Sequence, residues 1–431
     1  MLDTLIKNAL VLTMADPVRV IPCCSLGIKD GKIAYIGQDK PGSREVIDAK
    51  GHIVMPGLVN AHAHTAMCLM RGYADDYTLD RWLFEKVFPV EARLNERAIV
   101  AGTVLGMAEM IRTGTTSFSD MYFCEPAIAE AVLSAGMKAN LSNAIIAIGD
   151  NYDPEKDRAV IETRTLLKEY GVTGDVRGDV SIHAEYTSPV HIWHMAHEYA
   201  AEYGAITHIH LSETKKEHEE AKARHGMTAA AAFANNGVLD TKVLFAHGVW
   251  LEKEDLELLA EHGASVAHCP VSNLKLGSGV ANVRAMLDAG INVCLGTDGA
   301  CSNNSLDLFE EVKLAALLAK GSSFDPTALP AYEALKLATV NGAKAQGRGD
   351  ETGTIEHGKA ADLIMIDTSK PNLRPIYDPA ATAAYSARGS DVEMTMVNGR
   401  ILYRNGEWLT IDVERAVSEV EEYAVPIVLN K

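Results

Sequence analysis

The sequence predicts an α/β protein: a (β/α)8 barrel, TIM-like, carrying a small β-sandwich built from both chain ends. Three observations predict it. Short apolar strands alternate with helical stretches through the middle of the chain, the signature of βα units and a parallel sheet. The two ends are instead rich in β-type sequence punctuated by hairpin turns. Polar residues recur at the C-terminal ends of the central strands, where barrels of this kind carry their chemistry.

At the N-terminus, "LIKNALVLTM" and "LGIKDGKIAYIG" have strand character, and Asp30-Gly31 between alternating apolar residues is a strong hairpin signal. The adjacent Cys23 and Cys24 read as small residues within a strand. Near the C-terminus "ADLIMID" and "EMTMVNGRILYRNG" repeat the pattern, with Asn398-Gly399 as a second hairpin turn. Residues 1–55 and 355–431 are therefore assigned to one composite sandwich and 56–354 to the barrel. A short acidic helix, "VERAVSEVEEYA", closes the chain.

Eight barrel strands are predicted: "IVMPGLVNAHAH", "TTSFSDMYF", "KANLSNAII", "DVSIHAEY", "AITHIHLSE", "KVLFAHGVW", "ASVAHCPVSN" and "NVCLGTDG". No internal repeat or low-complexity segment competes with this division. The stretch "LFEEVKLAALLAK" has an apolar face suited to the barrel or to a partner subunit, so a homo-oligomer is open.

The chain has 431 residues, 47% of them apolar, and a formal charge of −18. Such acidity argues against a nucleic-acid polymer as partner, because phosphate backbones call for a basic face. The seven cysteines include no CxxC pair and read as neither a disulfide framework nor a thiolate zinc site. No run approaches the ~20 apolar residues of a membrane span, and the first residues lack a basic start and a cleavable apolar core, so no membrane association and a cytoplasmic location are expected.

Strand one ends in His62 and His64, strand four in His183, strand five in His210, strand six in His247 and strand eight in Asp298. Because side chains alternate along a strand, the spacing of His62 and His64 points both to one face. A lone histidine at a strand end is usually a hydrogen-bonded core residue. Convergence of these six on one rim favours a metal, since buried imidazoles and carboxylates need partners. His191, His194 and His197 read as a partly exposed helix, and His52, His208, His218, His225, His262, His268 and His357 as structural. Imidazoles with one carboxylate suit zinc, and also iron, cobalt or manganese. A bridging lysine for a second ion is missing from "DVSIHAEYTSP", so one divalent ion per chain, with zinc the first choice, is expected.

The motifs "PGLVNAHAHT", "HIHLSET", "FAHG", "HCPVSNLKLGSG" and "LGTDGACSNNSLDLFEEV" resemble the amidohydrolase superfamily. Within it they are most similar to the aminohydrolases of purines and related rings, in particular the 5-methylthioadenosine/S-adenosylhomocysteine deaminase family. The resemblance covers essentially the whole chain. It implies His62, His64, His210 and Asp298 as metal ligands, His247 as a hydrogen-bond partner of the metal-bound water, and Glu213 as proton shuttle. It further implies that His183 touches the ring or ribose, and that Trp82 and Glu91 belong to the nucleoside pocket. Glu185 departs from the small residue or proline that the resemblance leads one to expect after strand four.

The chemistry has its own logic. Replacing an aromatic amino group by oxygen needs a nucleophile, a proton for the ring nitrogen and another for the departing ammonia. A metal-bound hydroxide supplies the first; Asp298 can take a proton from the attacking water, and Glu213 can pass protons to the ring and the leaving group. The expected reaction is hydrolytic deamination of an adenine nucleoside, such as 5-methylthioadenosine, S-adenosylhomocysteine, 5′-deoxyadenosine or adenosine, to its inosine analogue and ammonia. The alternatives are an aminohydrolase or chlorohydrolase of another N-heterocycle, of guanine, cytosine or triazine type, and a non-catalytic barrel. Finally, the insertion "RGYADDYTLDRWLFEKVFPVEARL" is too long for a tight βα connection. From it Trp82 can cover an apolar group and Glu91 can accept hydrogen bonds from two ribose hydroxyls, unless Glu91 pairs with Arg93 or Arg97.

Overall fold

The computed structural model describes residues 1–17, 19–148 and 152–431. The two chain ends interleave in one nine-stranded sheet. The join is the pairing of Leu363–Ile366, antiparallel, on Ile53–Pro56. Inward side chains from both ends, among them Ile6, Val11, Leu26, Met365 and Met394, pack into one cluster, so neither end has a complete core alone. The hairpins fall where the turn chemistry demands: Asp30 and Gly31, and again Asn398 and Gly399, all adopt positive φ, as a two-residue turn of primed type requires.

The barrel strands are Leu58–His64, Thr115–Tyr122, Lys138–Asn143, Val176–Gly178 with Val180–Ala184, Ile206–Leu211, Lys242–His247, Ser265–His268, and Asn292–Leu295 with Asp298–Gly299. All neighbouring pairs are parallel. The ring closes where Asp298 and Gly299 pair with Ala63 and His64, which sets the last strand's carboxylate beside the first strand's histidines.

The strands begin and end within a few residues of the sequence reading, and three depart from it for an identifiable physical reason. "IVMPGLVNAHAH" is two strands, one in each part of the fold, parted at Gly57, where a Cβ would lie 2.2 Å from Thr116 Cγ2. "ASVAHCPVSN" leaves the sheet after His268, because Pro270 opens a helix, Pro270–Lys275. "NVCLGTDG" breaks at Gly296, where a Cβ would lie 2.7 Å from that of His62. Only glycine lets strand eight approach strand one so closely.

Helix Leu308–Ser323 buries Leu308, Phe309, Val312, Ala315, Ala316 and Ala319 within the same core as the barrel strands. Its apolar face is thus used within the chain. Among the described residues no helix is long and apolar enough to cross a membrane.

Candidate active site

Strand ends place the predicted histidines in one group. The rings of His62 and His64 lie 4.8 Å apart, and those of His62 and His210 4.9 Å. His64 Nε2 is 3.2 Å from His210 Nε2 and 3.2 Å from Asp298 Oδ1. His62 Nε2 is 3.5 Å from the same carboxylate oxygen. Ligand atoms of His62, His64 and His210 all fall within 4.8 Å of one another, as do those of His62, His247 and Asp298.

The outer atoms of these groups are tied down, which sets what the inner atoms can do. His64 Nδ1 donates to the carbonyl of Met121 at 2.5 Å, and His210 Nδ1 to that of His183 at 2.6 Å. A carbonyl can only accept, so each ring, in its neutral form, carries its proton on Nδ1 and turns an Nε2 lone pair inward. Asp298 Oδ2 accepts from Ser272 Oγ at 2.6 Å and Ser302 Oγ at 2.8 Å, leaving Oδ1 to face the histidines. His62 Nε2 is buried with no hydrogen-bond partner. Converging lone pairs, a carboxylate and an orphaned nitrogen are what a divalent cation satisfies. Two of the rim residues, His247 at φ 73° and Asp298 at φ 61°, hold left-handed backbone that non-glycine residues rarely adopt.

Glu213 follows strand five in a turn fixed by Glu217, whose carboxylate accepts from the backbone N–H groups of Ser212 and Glu213 at 2.9 Å. Its Oε1 accepts from Ser278 Oγ at 3.0 Å, and its Oε2 lies 3.8 Å from His247 Nε2. Burial pushes its carboxyl above the usual range. His247 Nδ1 is 2.9 Å from Asn273 Oδ1. His183 pairs Nδ1 with Thr187 Oγ1 at 3.0 Å, and burial lowers it to about 3, so the ring is neutral.

Opposite stand the residues of the insertion. Trp82 and Glu91 belong to short helical segments, Trp82–Val87 and Phe88–Glu91. Trp82 Nε1 and Glu91 Oε1 are buried without a partner. Burial raises Glu91 to about 7, with the neighbouring Tyr122 hydroxyl pulling the other way. The alternative ion pairs are not formed: Arg97 bonds Glu419, and Arg93 bonds the carbonyls of Pro89, Ile427 and Val428. One cavity is lined by His64, Trp82, Glu91, His183, His210, Glu213, His247 and Asp298. His62, fully buried, lies outside that lining.

Several participants carried no signal by residue type. His208, taken from the sequence as purely structural, has Nε2 2.9 Å from His62 Nδ1. The clue was its spacing, since "HIH" in strand five repeats "HAH" in strand one. Ser272, Asn273 and Ser278 hold Asp298, His247 and Glu213 from one short stretch after strand seven. Glu185 is explained by Arg224 and His225, which bond its buried carboxylate at 2.5 and 2.6 Å.

Residues 53–402 match the model of the amidohydrolase family. The chain is 45% identical to a 5-methylthioadenosine/S-adenosylhomocysteine deaminase of Moorella thermoacetica, over 96% of this chain and 97% of that one. It is 44% identical to a 5′-deoxyadenosine deaminase of Methanosarcina mazei, over 99% of each. Among solved structures it is similar to an adenosine deaminase from Xanthomonas campestris with bound zinc, with a TM-score of 0.94 and 31% identity, covering 99% of this chain and 98% of that one.

Proposed function

We propose that this chain, which belongs to the amidohydrolase family, is a metal-dependent aminohydrolase that deaminates adenine nucleosides to inosine analogues and ammonia. The family and the histidine and aspartate groups together make it metal-dependent. One zinc ion per chain, held by His62, His64, His210 and Asp298, is the reading that the donor set supports. When bound, such an ion lowers the pKa of water and supplies the nucleophile.

The chain's own residues do the rest. Asp298, held by its two serine partners, accepts one proton of the attacking water and returns it to the departing amine. His247, oriented by Asn273, steadies the developing charge on the incoming oxygen. Glu213, ionised, accepts the other proton of that water and delivers it to the ring nitrogen; burial raises its pKa, which favours taking the proton up. His183, neutral, offers Nε2 to the ring edge. Glu91 accepts from the ribose hydroxyls, and Trp82 covers the sugar.

The observation that carries the reading is the presence, in one cavity, of the Glu213 carboxyl beside the candidate ligands and of Glu91, whose Oε1 is buried without a partner. The test is ammonia release from adenosine, 5-methylthioadenosine, 5′-deoxyadenosine, adenine, guanine and cytosine, with elemental analysis of the same preparation. Adenine nucleosides should react and free bases react poorly, with stoichiometric zinc. Preference for a free base, or active protein without metal, would overturn it.

A further inference from the structure

Strand five repeats the spacing of strand one, with His208 and His210 set against His62 and His64. Because alternate residues of a strand share a face, the four rings form two tiers inside the barrel. In the tier at the rim, His64 Nε2 and His210 Nε2 lie 3.2 Å apart, and both belong to the candidate metal centre. In the tier below, His62 Nδ1 and His208 Nε2 lie 2.9 Å apart, with the two ring planes at 80°. His208 is buried, stands outside the lining of the chamber, and has no part in the chemistry assigned above.

Two of the three candidate histidine ligands have partners of fixed character. His64 and His210 donate from Nδ1 to main-chain carbonyls, which can only accept, so the other tautomer would break a bond in each case. His62 is different. Its Nδ1 meets another imidazole, and an imidazole nitrogen can give or take a hydrogen bond. If His208 Nε2 carried the proton and donated, a neutral His62 would hold its own proton on Nε2, where a cation has to bind. That proton would be poorly placed: the nearest carboxylate oxygen, Asp298 Oδ1, is 3.5 Å away, and His62 Nε2 completes no hydrogen bond. A buried N–H left without an acceptor is costly. The opposite direction, from His62 Nδ1 to His208 Nε2, avoids that cost and leaves the Nε2 lone pair free.

We propose that His208 is a positioning residue: it accepts a hydrogen bond from His62 Nδ1 and so holds His62 in the tautomer that can bind a divalent cation, doing for His62 what a carbonyl does for His64 and His210. The proposal rests on the reading of these residues as a metal centre. An imidazole that binds a metal is generally anchored through its other nitrogen, and removing that anchor costs about 10- to 100-fold in metal affinity or activity. His208 is the one such anchor here supplied by a side chain, and therefore the one that substitution can remove.

Zinc retention, rather than turnover, tests this. The full-length wild type, His208→Gln and His208→Leu are loaded with zinc and titrated against a chromogenic chelator, with circular dichroism to confirm the fold of each. His208→Leu, which offers no acceptor, should bind zinc about 10- to 100-fold more weakly than the wild type. His208→Gln keeps a carbonyl oxygen that can accept, and should stay within about threefold of the wild type. Equal affinity in His208→Leu and wild type overturns the inference, as does a loss in His208→Gln as large as that in His208→Leu, which would make the position one of shape alone. Nitrogen-15 NMR of histidine-labelled wild type decides the matter even if a variant fails to fold: His62 Nδ1, and not His208 Nε2, should carry the proton with and without zinc. A proton on His208 Nε2 overturns the inference. If the wild type binds no zinc at all, the metal reading falls, and this inference with it.

Discussion

The two walls of the chamber are built on different terms. On the strand-end wall, each group proposed for the chemistry has its outer atom committed: His64 to Met121, His210 to His183, His247 to Asn273, Asp298 to two serines, Glu213 to Ser278. On the insertion wall, Trp82 Nε1 and Glu91 Oε1 are buried and unpartnered. The first wall is oriented before any substrate arrives, as electrostatic stabilisation of a transition state requires. The second is completed only by a ligand that brings hydrogen-bonding groups of its own, and an analogue lacking them leaves the buried polar atoms unsatisfied. Reaction and recognition are thereby separated in space, and the separation can be tested one wall at a time.

The largest effect should come from the reactive wall. Glu213→Gln preserves shape and removes the exchangeable proton, so turnover should fall by at least ~10²-fold while metal content stays intact. Single-turnover kinetics and elemental analysis on the same protein check it. Loss of metal together with activity would make Glu213 a structural part of the centre and merge the two walls.

Glu91→Ala should strike only the recognition wall. The expected loss in kcat/KM is ~10²-fold for adenosine, smaller for 2′-deoxyadenosine, and slight for adenine, because a carboxylate awaiting hydroxyls discriminates only among ligands that carry them. Equal losses for all three would remove Glu91 from ribose recognition.

The two walls should also respond differently to pH. Glu91 is raised to about 7 by burial, so the free protein loses the ionised acceptor as pH falls through that value. For nucleosides kcat/KM should therefore decline by up to ~10-fold per unit below about pH 7, on the side where the carboxyl is protonated. With Glu91→Gln this nucleoside-specific limb should vanish, leaving the limb that free adenine also shows. A limb of the same midpoint in wild type and variant would assign it to another group.

The same division governs how much was legible in the sequence. Strand periodicity and the two-residue spacing of His62 and His64 exposed the barrel and its rim, because period-two alternation fixes which side chains share a face. Asp298 could be read beside them because a strand end and a barrel closure leave it little freedom. The stretch from Ser272 to Ser278 was not legible in the same way. Serine and asparagine are common helix and turn residues, and nothing in their type announces that they steady Asp298, His247 and Glu213. Strand eight reads as continuous in the sequence because nothing there sets Gly296 apart from its strand neighbours. Its reason is a close approach to His62, visible only in three dimensions.

The smallest predicted effect probes that stretch. Ser278 Oγ donates to Glu213 Oε1 at 3.0 Å, and its own backbone is held, with Ser278 N bonded to the carbonyl of Asn273 at 2.8 Å and Ser278 O accepting from Trp250 Nε1 at 2.7 Å. The hydroxyl therefore has a fixed direction and favours the ionised form of Glu213, opposing the burial that raises its pKa. Ser278→Ala removes that donor and lets the pKa rise further. The acidic limb that Glu213 contributes to kcat should move to higher pH, because a carboxyl that holds its proton more tightly is reprotonated earlier as pH falls. At neutral pH kcat should drop by roughly 3- to 10-fold, the scale of one hydrogen bond to a partly charged group, with KM nearly constant. Ser278→Thr, which keeps the hydroxyl, should restore both the limb and most of the rate. A KM effect without a shift in the kcat profile would move Ser278 from the reactive wall to substrate contact.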